Sequence, residues 1–297
     1  PRYLKLLEII PGPDTDPEII NFLMAYGQKH LGKTTVLCKD TPAFIANRIG
    51  VYSIMNLFHT VQEMDMTITD VDKLTGPVLG RAKSATFRTC DVVGLDTLVH
   101  VANGVKDNCP NDESIDTFQI PAFINTMLEN NWLGSKTKQG FFKKTKDANG
   151  KKQILALNLN TLEYEVQKKT TYQTLETAKP ISDLRARTKH LYLGKDKAGE
   201  FYRKNTLAVS AYISHRIPEI SDEVYKIDEA MKAGFGWQLG PFETWDAVGF
   251  DIIKKDLKEK LKNKGYKVGR SYVTRYKSDD NKRSKAGVDM ISIQVNN

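Results

Sequence analysis

Two segments of this 297-residue chain, 155 residues apart, carry nearly the same pattern. Residues 86–96 read TFRTCDVVGLD, and residues 241–251 read PFETWDAVGFD. A β-branched residue followed by aspartate precedes each segment, at Asp72 and at Asp228. Several shared positions at a nearly constant offset indicate an internal duplication. The sequence therefore predicts two related modules within one chain.

The residues around the two segments have the spacing of helices. The longest apolar run, residues 44–64, predicts a buried helix, because interrupting polar residues such as Arg48 argue against a membrane span. Further helices are predicted over residues 70–74, 95–105, 120–130, 207–217, 223–233 and 252–261. Residues 140–142 and 154–166 instead predict short strands around the polar turn 147–150.

The first 39 residues predict a strand, a helix and a second strand. Residues 4–10 are rich in Leu and Ile, as a buried strand would be. Thr15 is the expected N-cap of a helix that runs to about residue 30, and residues 34–38 form the next strand. This unit is expected to be the end of a parallel α/β sheet whose main part lies upstream.

The predicted fold is therefore mainly α. It combines the remnant of a Rossmann sheet with two related helical modules and a small β insert. The expected parts are the sheet remnant (1–39), a first helical module (40–135), a β-containing insert (136–179), a second helical module (180–262) and a basic, poorly packed tail (263–297).

Most standard signatures of catalytic or ligand sites are absent from the sequence. It contains no Gly-x-Gly-x-x-Gly, no phosphate-binding loop ending in Gly-Lys-Ser/Thr, no His-Glu-x-x-His and no Cys-x-x-Cys. No metal site is therefore expected. Three widely spaced cysteines favour a reducing, cytoplasmic setting over a disulfide framework. The N-terminus lacks the pattern of a signal peptide.

The net charge of +8 is unevenly distributed. Residues 254–285 and 136–169 are strongly basic and could attract polyanions. Because neither segment shows interleaved aromatic residues or a nucleic-acid motif, we interpret them as solvated surface. No nucleic-acid partner and no membrane span are expected.

Two residues are candidates for a site. Glu8 lies in the apolar stretch 4–10, where an unpaired buried carboxylate would be costly, so it is either paired or at a strand edge in water. Asn47 lies near the start of the apolar helix 44–64. Its amide either hydrogen-bonds the helix start or points at a substrate carbonyl.

Several motifs in a fixed order resemble the 3-hydroxyacyl-CoA dehydrogenase family over about residues 1–255. They are LKLLEII (4–10), DT (14–15), GKT (32–34), DTPAFIANR (40–48), GSKTKQGFF (134–142), IDEAM (227–231) and GWQLGPF (236–242). The duplicated module with its insert resembles the dehydrogenase part of multifunctional fatty-acid β-oxidation proteins. In this family the helical modules have the architecture of the 6-phosphogluconate dehydrogenase C-terminal domain.

The resemblance implies that the 3-hydroxyl of an acyl-CoA is oxidised to a ketone with NAD as cofactor. A histidine takes the hydroxyl proton, a glutamate orients it, and an asparagine holds the substrate. Glu8 and Asn47 match the glutamate and the asparagine. The histidine, a serine, a second asparagine and the dinucleotide fingerprint would all lie upstream of Pro1. The chain alone is thus expected neither to bind NAD nor to turn over substrate.

Two positions depart from the family pattern: Ala43, where glycine is usual, and Phe142, where tyrosine is usual. Both changes look conservative. The main alternative is a non-catalytic helical oligomerisation or interaction module derived from the same family. Beyond a 3-hydroxyacyl-CoA substrate, the expected interactions are self-association or packing between the two helical repeats.

Overall fold

The structure is a computed structural model that describes residues 3–167, 170–262, 266–268, 271–277, 284–290 and 293–295. As predicted, the described chain is mainly helical with a few short strands. It divides into two compact units. The first unit comprises Pro1–Gly50 with Thr206–Asn297, and the second comprises Val51–Asn205. The five-part division of the chain drawn from the sequence stays a prediction.

The first unit begins with the predicted strand–helix–strand. Strand β1 (Leu6–Ile9), helix α1 (Pro17–Lys29) and strand β2 (Thr34–Leu37) follow one another. The two strands pair in parallel, with Glu8 opposite Val36. A parallel pair linked by a helix is the repeating element of an α/β sheet, which confirms the predicted sheet remnant.

The N-cap of α1 is Asp16, so the prediction of Thr15 was wrong by one residue. The Asp16 carboxylate accepts a hydrogen bond of 2.8 Å from the backbone N–H of Glu18. The Thr15 hydroxyl instead accepts one of 2.9 Å from the N–H of Gly12, inside the preceding turn. Asp is the better choice beside Pro17, because its charge also complements the helix dipole.

Five helices of the described chain contribute to the first unit. They are the start of α2 (Ala46–Glu63), the end of α9 (Lys197–His215), α10 (Val224–Phe235), α11 (Pro241–Val248) and α12 (Phe250–Lys262). Apolar side chains from all five are buried, among them Ile49, Ile213, Ile227, Phe242 and Ile253. Helix α2 starts where β2 leads into the helical region, so the sheet remnant and the helices share one core.

The second unit contains the remaining helices and a small sheet. The helices are the rest of α2, α3 (Ile68–Thr75), α4 (Phe87–Val93), α5 (Leu95–Asn108), α6 (Ala122–Glu129), α7 (Gln173–Ala178), α8 (Leu184–Leu193) and the start of α9. Its core is aromatic: the rings of Phe87 and Phe141 lie 4.7 Å apart, and those of Phe58 and Phe87 lie 5.5 Å apart. Phe141 comes from the insert, so the insert contributes to this core.

The predicted β insert is present as a three-stranded antiparallel sheet. Strands β3 (Phe142–Lys146), β4 (Lys152–Leu157) and β5 (Tyr164–Val166) lie in the order β3-β4-β5. The turn between β3 and β4 contains Gly150 with φ +77°, a conformation that glycine adopts without steric cost. The polar turn at residues 147–150 thus separates two strands as predicted, but the first strand runs over Phe142–Lys146 rather than 140–142.

The two repeated segments fold as the same short helix, which confirms the pair of related modules. Helix α4 ends at Gly94 with φ +100°, and helix α11 ends at Gly249 with φ +117°. Both glycines start the next helix directly. The repeat is visible in the sequence, but α4 and α11 were not predicted as helices.

Beyond α12 the structure describes four short backbone strands. They are β6 (Tyr266–Val268), β7 (Ser271–Lys277), β8 (Ser284–Met290) and β9 (Ile293–Val295). Strand β6 pairs with β9, and β7 pairs with β8, both antiparallel. The prediction that this basic tail is poorly packed concerns side chains that lie outside the described residues.

Candidate functional site

Glu8 is half-buried in the sheet remnant, and its carboxylate is bonded to the start of α2. Its Oε1 accepts hydrogen bonds from the backbone N–H of Ile45 at 3.1 Å and of Ala46 at 2.9 Å. The first N–H groups of a helix have no partner within the helix, and a carboxylate there also interacts favourably with the helix dipole. Glu8 is therefore a paired carboxylate that joins β1 to α2.

The turn before α2 is tight enough to require unusual backbone conformations. Ala43 has φ +63° and Phe44 has φ +52°, both in the left-handed region. Non-glycine residues are uncommon in this region because their Cβ atoms crowd the backbone. The left-handed conformation at position 43 explains why glycine suits this position. Ala43 is similar to glycine in size, but its Cβ restricts the backbone.

Cys38 lies buried beside Glu8, directly after β2. Its Sγ donates a weak hydrogen bond of 3.6 Å to Glu8 Oε1. Burial, followed by the charge of Glu8, raises the pKa of the Cys38 thiol to about 12. The side chain is therefore a neutral thiol rather than a nucleophile at physiological pH.

Asn47 is exposed in the first turn of α2. Two N–H groups at this helix start are bonded to Glu8 rather than to Asn47. The helix start therefore does not depend on the Asn47 amide, which leaves that amide accessible to a ligand. Glu8 and Asn47, 39 positions apart in the sequence, are brought to the same helix start.

Arg48, the next residue, is fully buried at 0% exposure. Its Nε donates a hydrogen bond of 2.6 Å to the hydroxyl of Tyr212, and its Nη2 lies 3.1 Å from Glu219 Oε1. Its partners Tyr212 and Glu219 were missed, because no local pattern marks a contact between residues 164 positions apart, as Arg48 and Tyr212 are.

Two histidines have hydrogen-bond contacts within the fold. His59 Nε2 lies 3.1 Å from the carbonyl oxygen of Thr117, and His190 Nε2 lies 2.8 Å from the hydroxyl of Thr177. Among the described residues no group of three or more His, Cys, Asp or Glu side chains could hold a metal ion. No helix in the described part of the chain is long and apolar enough to cross a membrane.

The turn between β1 and α1 does not fit a dinucleotide. A Rossmann domain holds the pyrophosphate at a glycine-rich turn between its first strand and helix. Here the segment between β1 and α1 reads IPGPDTD and leads to a helix whose N-cap is a carboxylate, Asp16, which would repel a phosphate. This turn is therefore not a dinucleotide-binding turn.

The model of the 3-hydroxyacyl-CoA dehydrogenase C-terminal domain family matches the chain twice, over residues 44–144 and 210–289. The two matches follow the two repeated modules, since each contains one copy of the Asp-x-x-Gly-x-Asp segment. The family model therefore recognises the duplication as two domains of one kind.

Curated relatives carry related names. A "Probable 3-hydroxyacyl-CoA dehydrogenase" of Bacillus subtilis is 48% identical over 267 residues, which is 89% of this chain and 32% of that protein. A "Putative fatty acid oxidation complex trifunctional enzyme" of Rickettsia felis is 28% identical over 279 residues, which is 90% of this chain and 37% of that protein. The chain thus spans about a third of the length of these relatives.

A solved structure shares the fold. The 3-hydroxybutyryl-CoA dehydrogenase of Escherichia coli K12 superposes with a TM-score of 0.59 and 18% sequence identity, covering 89% of this chain and 65% of that one. At this identity the likeness concerns the fold alone. It supports the arrangement of a sheet remnant followed by helical domains.

Proposed function

The chain belongs to the 3-hydroxyacyl-CoA dehydrogenase family, and from this premise we propose that it is the substrate-binding and helical part of an NAD-dependent enzyme of fatty-acid β-oxidation. The complete enzyme would oxidise a 3-hydroxyacyl-CoA to the 3-oxoacyl-CoA. This chain would supply Glu8 and Asn47 to the site, and the catalytic histidine would come from a more N-terminal segment. The chain alone would be inactive.

The observation that carries the proposal is the hydrogen bond of 2.9 Å between Glu8 Oε1 and the N–H of Ala46. Ala46 directly precedes Asn47 on α2. This bond therefore sets the position of the Glu8 carboxylate relative to the helix start that carries the exposed Asn47 amide. The resemblance assigns a role to these two residues, Glu8 and Asn47, in this chain. Their approach in space is what a shared site requires.

The two oxygens of Glu8 have different surroundings. Oε1 accepts the bonds from Cys38, Ile45 and Ala46, whereas Oε2 has no hydrogen bond to any residue that the structure describes. We assign Oε2 as the atom that would accept the ring N–H of the catalytic histidine. A carboxylate in this position orients the imidazole and stabilises its charged form after proton transfer.

The exposed Asn47 amide would donate a hydrogen bond to the oxygen on the reacting carbon of the substrate. That oxygen becomes negatively charged as the hydroxyl proton leaves, and a fixed donor stabilises this charge. NAD, when bound, supplies the hydride acceptor. The residues described here contribute orientation and charge stabilisation only.

Further features belong to the same proposal. We place the enzyme in the cytoplasm, since Cys38 and Cys90 are buried thiols of a chain without a regular cysteine spacing. The interactions we propose are with a 3-hydroxyacyl-CoA and between the two helical repeats or between copies of the protein. The five sequence segments from 1–39 to 263–297 are proposed as its parts.

The test uses the protein extended upstream to include its cofactor domain, with NADH formation from a 3-hydroxyacyl-CoA followed at 340 nm. Glu8→Gln and Asn47→Ala should each lower kcat/KM by on the order of 100-fold or more. The matched controls Glu18→Gln and Asn21→Ala change exposed residues on α1 and should leave kcat/KM unaltered.

Two outcomes would contradict the proposal. If the extended wild-type protein forms no NADH with any 3-hydroxyacyl-CoA, the non-catalytic interaction module becomes the better account. If the wild-type protein is active but Glu8→Gln and Asn47→Ala behave like the controls, the site lies elsewhere.

A further inference from the structure

A cluster of four side chains lies behind the proposed site, and we call it the Arg48 cluster: Arg48, Tyr212, Arg216 and Glu219. Arg48 follows Asn47 on α2 and is fully buried, whereas Asn47 is exposed. The two neighbours therefore point to different environments, Asn47 to the surface and Arg48 into the first unit. Whatever fixes Arg48 also fixes the backbone that carries Asn47.

Glu219 is bonded to both arginines of the cluster. Its Oε1 lies 3.1 Å from Arg48 Nη2, and its Oε2 lies 2.7 Å from Arg216 Nη1. Both guanidinium groups are buried, with side-chain exposures of 0% and 4%. Because a buried charge is costly without a partner of opposite sign, the Glu219 carboxylate stabilises both buried guanidinium groups.

Tyr212 completes the cluster from the end of α9. Its hydroxyl accepts the bond from Arg48 Nε at 2.6 Å, and the Arg216 guanidinium lies over its ring at 4.8 Å. The Arg48 side chain is thus held at Nε by a hydroxyl and at Nη2 by a carboxylate. Two fixed partners leave the planar guanidinium little rotational freedom.

The segment that leads into α2 is attached to the same region at a second place. Lys39 Nζ donates to the carbonyl oxygen of Pro218 at 2.5 Å and pairs with Asp222 Oδ1 at 2.6 Å. The backbone N–H of Lys39 also donates to the carbonyl oxygen of Ile220 at 3.4 Å. Residues 39 and 48, at the two ends of the turn, are therefore both bonded to residues 218–222.

We infer that Glu219 is a positioning residue for the proposed site, acting through Arg48 on the start of α2. This inference rests on the proposed function. Glu8 holds the helix start from the sheet side through Ile45 and Ala46, and Glu219 holds it from the opposite module through Arg48. The position of the Asn47 amide relative to the Glu8 carboxylate is then set by both modules together.

The second repeat then contributes a positioning residue, Glu219, to the proposed site without contributing a catalytic residue. Glu219 lies between α9 and α10, in the second module, while Glu8 and Asn47 lie before and at the start of the first. The segment that contains Glu219 is short, and Arg216, Pro218 and Ile220 within it all take part in the contacts described above.

The first experiment measures backbone hydrogen exchange in the 297-residue chain at the amides of Ile45 and Ala46. These amides are protected by Glu8 only while the helix start is in place. In Glu219→Gln, which removes the charge but keeps the size, their exchange should be at least about tenfold faster. Glu219→Asp, which restores the charge, should return most of the protection.

Two further variants separate positioning from a general loss of stability. Tyr212→Phe removes a single hydroxyl from the cluster and should increase exchange at the same amides while the chain stays folded. Glu63→Gln is the matched control, because Glu63 pairs with Lys204 at the other end of α2. It should leave the amides of Ile45 and Ala46 unchanged.

The second experiment measures steady-state kinetics of the upstream-extended enzyme. Glu219→Gln should lower kcat by on the order of 10- to 100-fold with the KM for NAD unchanged, because a small displacement of a reacting group suffices for such a loss. Glu219→Asp should recover most of kcat. A variant that only weakened folding would instead reduce the amount of active enzyme without altering the KM for either substrate or the rate per folded molecule.

Each result decides the inference. Unchanged exchange at Ile45 and Ala46 in Glu219→Gln would overturn it, and so would faster exchange with an unchanged kcat per folded molecule. An inactive wild-type enzyme would overturn the proposed function and with it the positioning role. The exchange data would then still show whether the Arg48 cluster holds the helix start.

Discussion

The carboxylates of Asp72 and Asp228, 156 residues apart, cap equivalent helices in the two modules. Asp72 Oδ1 accepts the N–H of Phe87 at 2.7 Å, and Asp228 Oδ1 accepts the N–H of Phe242 at 2.8 Å. Each aspartate sits on the helix that precedes the capped one, on α3 and on α10. The two modules therefore share the same capping hydrogen bond as well as similar sequences.

These caps predict similar losses of stability in the two modules. Asp72→Ala and Asp228→Ala should each lower the free energy of unfolding by about 1–3 kcal/mol, because several buried N–H groups lose their acceptor. Urea denaturation of the chain measures the change. The control Asp107→Ala alters an exposed residue at the end of α5 and should stay within about 0.5 kcal/mol of the wild type. A cap variant that matches this control would show that its carboxylate is not the acceptor.

Asp91 predicts a dependence of stability on pH. Its Oδ1 and Oδ2 accept the N–H groups of Phe141 at 2.8 Å and Phe142 at 2.9 Å. Burial raises the pKa of the Asp91 carboxyl from 3.8 to about 6, although these two N–H groups and the nearby Arg88 lower it. Because the folded-state pKa is raised, the folded chain binds the proton more tightly than the unfolded chain does. This contribution to stability is complete below pH 3.8 and is lost as the pH rises to about 6.

The measurement compares Asp91→Asn with the wild type between pH 4 and 7. Other carboxyl groups titrate in both proteins, so the useful quantity is the difference in the free energy of unfolding. As the pH rises, the free energy of unfolding of Asp91→Asn should increase by about 3 kcal/mol relative to that of the wild type. This magnitude follows from the pKa difference of about two units between the folded and the unfolded chain. A difference that stays constant with pH would mean that Asp91 titrates in the folded chain as it does in the unfolded one.

Some helices could be predicted from the sequence and others could not, and the distant caps explain part of this difference. Helix α2 has a long apolar pattern of its own, and its predicted range 44–64 agrees with Ala46–Glu63 to within two residues. Helices α4 and α11, with 7 and 8 residues, were not predicted. Their N–H groups are bonded to aspartates 14 or more positions upstream, which no local capping rule includes.

The close approach of the insert to α4 predicts opposite effects for two Gly→Ala substitutions. A Cβ at Gly140 would lie 2.1 Å from Asp91 Oδ1 and 2.5 Å from the Cα of Gly134, so Gly140→Ala should destabilise the chain by several kcal/mol, on the order of 2–4. A Cβ at Gly104, inside α5, would meet no atom within 4 Å. Gly104→Ala should therefore stabilise the chain by about 0.5–1 kcal/mol. Thermal unfolding of both variants measures the contrast, and a tolerated Gly140→Ala would argue against the contact with Asp91.

The candidate site was accessible to sequence reasoning only in part. A charged residue in an apolar strand and an Asn-Arg pair at a helix start drew attention to Glu8 and Asn47, and the family resemblance supplied their roles. The residues that hold them could not be found in this way. Glu219 lies in the turn between α9 and α10 with 38% of its side chain exposed. Its importance comes from two arginines, Arg48 and Arg216, that contact it only after folding.

The last prediction concerns the turn that carries the site. Ala43 has φ +63°, a conformation that costs an alanine about 1–2 kcal/mol and a glycine almost nothing. Glycine also has more conformational entropy than alanine in the unfolded chain, which stabilises the unfolded chain by about 0.5–1 kcal/mol. This effect offsets part of the stability gained by removing the backbone strain. Ala43→Gly should therefore raise the free energy of unfolding by about 0.5–1 kcal/mol.

Ala25→Gly is the matched control, since Ala25 lies inside α1. The same chemical change there should lower the free energy of unfolding by about 1 kcal/mol, because glycine is a poor helix former. Urea denaturation of both variants gives the sign directly. If Ala43→Gly destabilises the chain as Ala25→Gly does, position 43 is not in the left-handed conformation, and the turn that leads from β2 to Asn47 has a different backbone path.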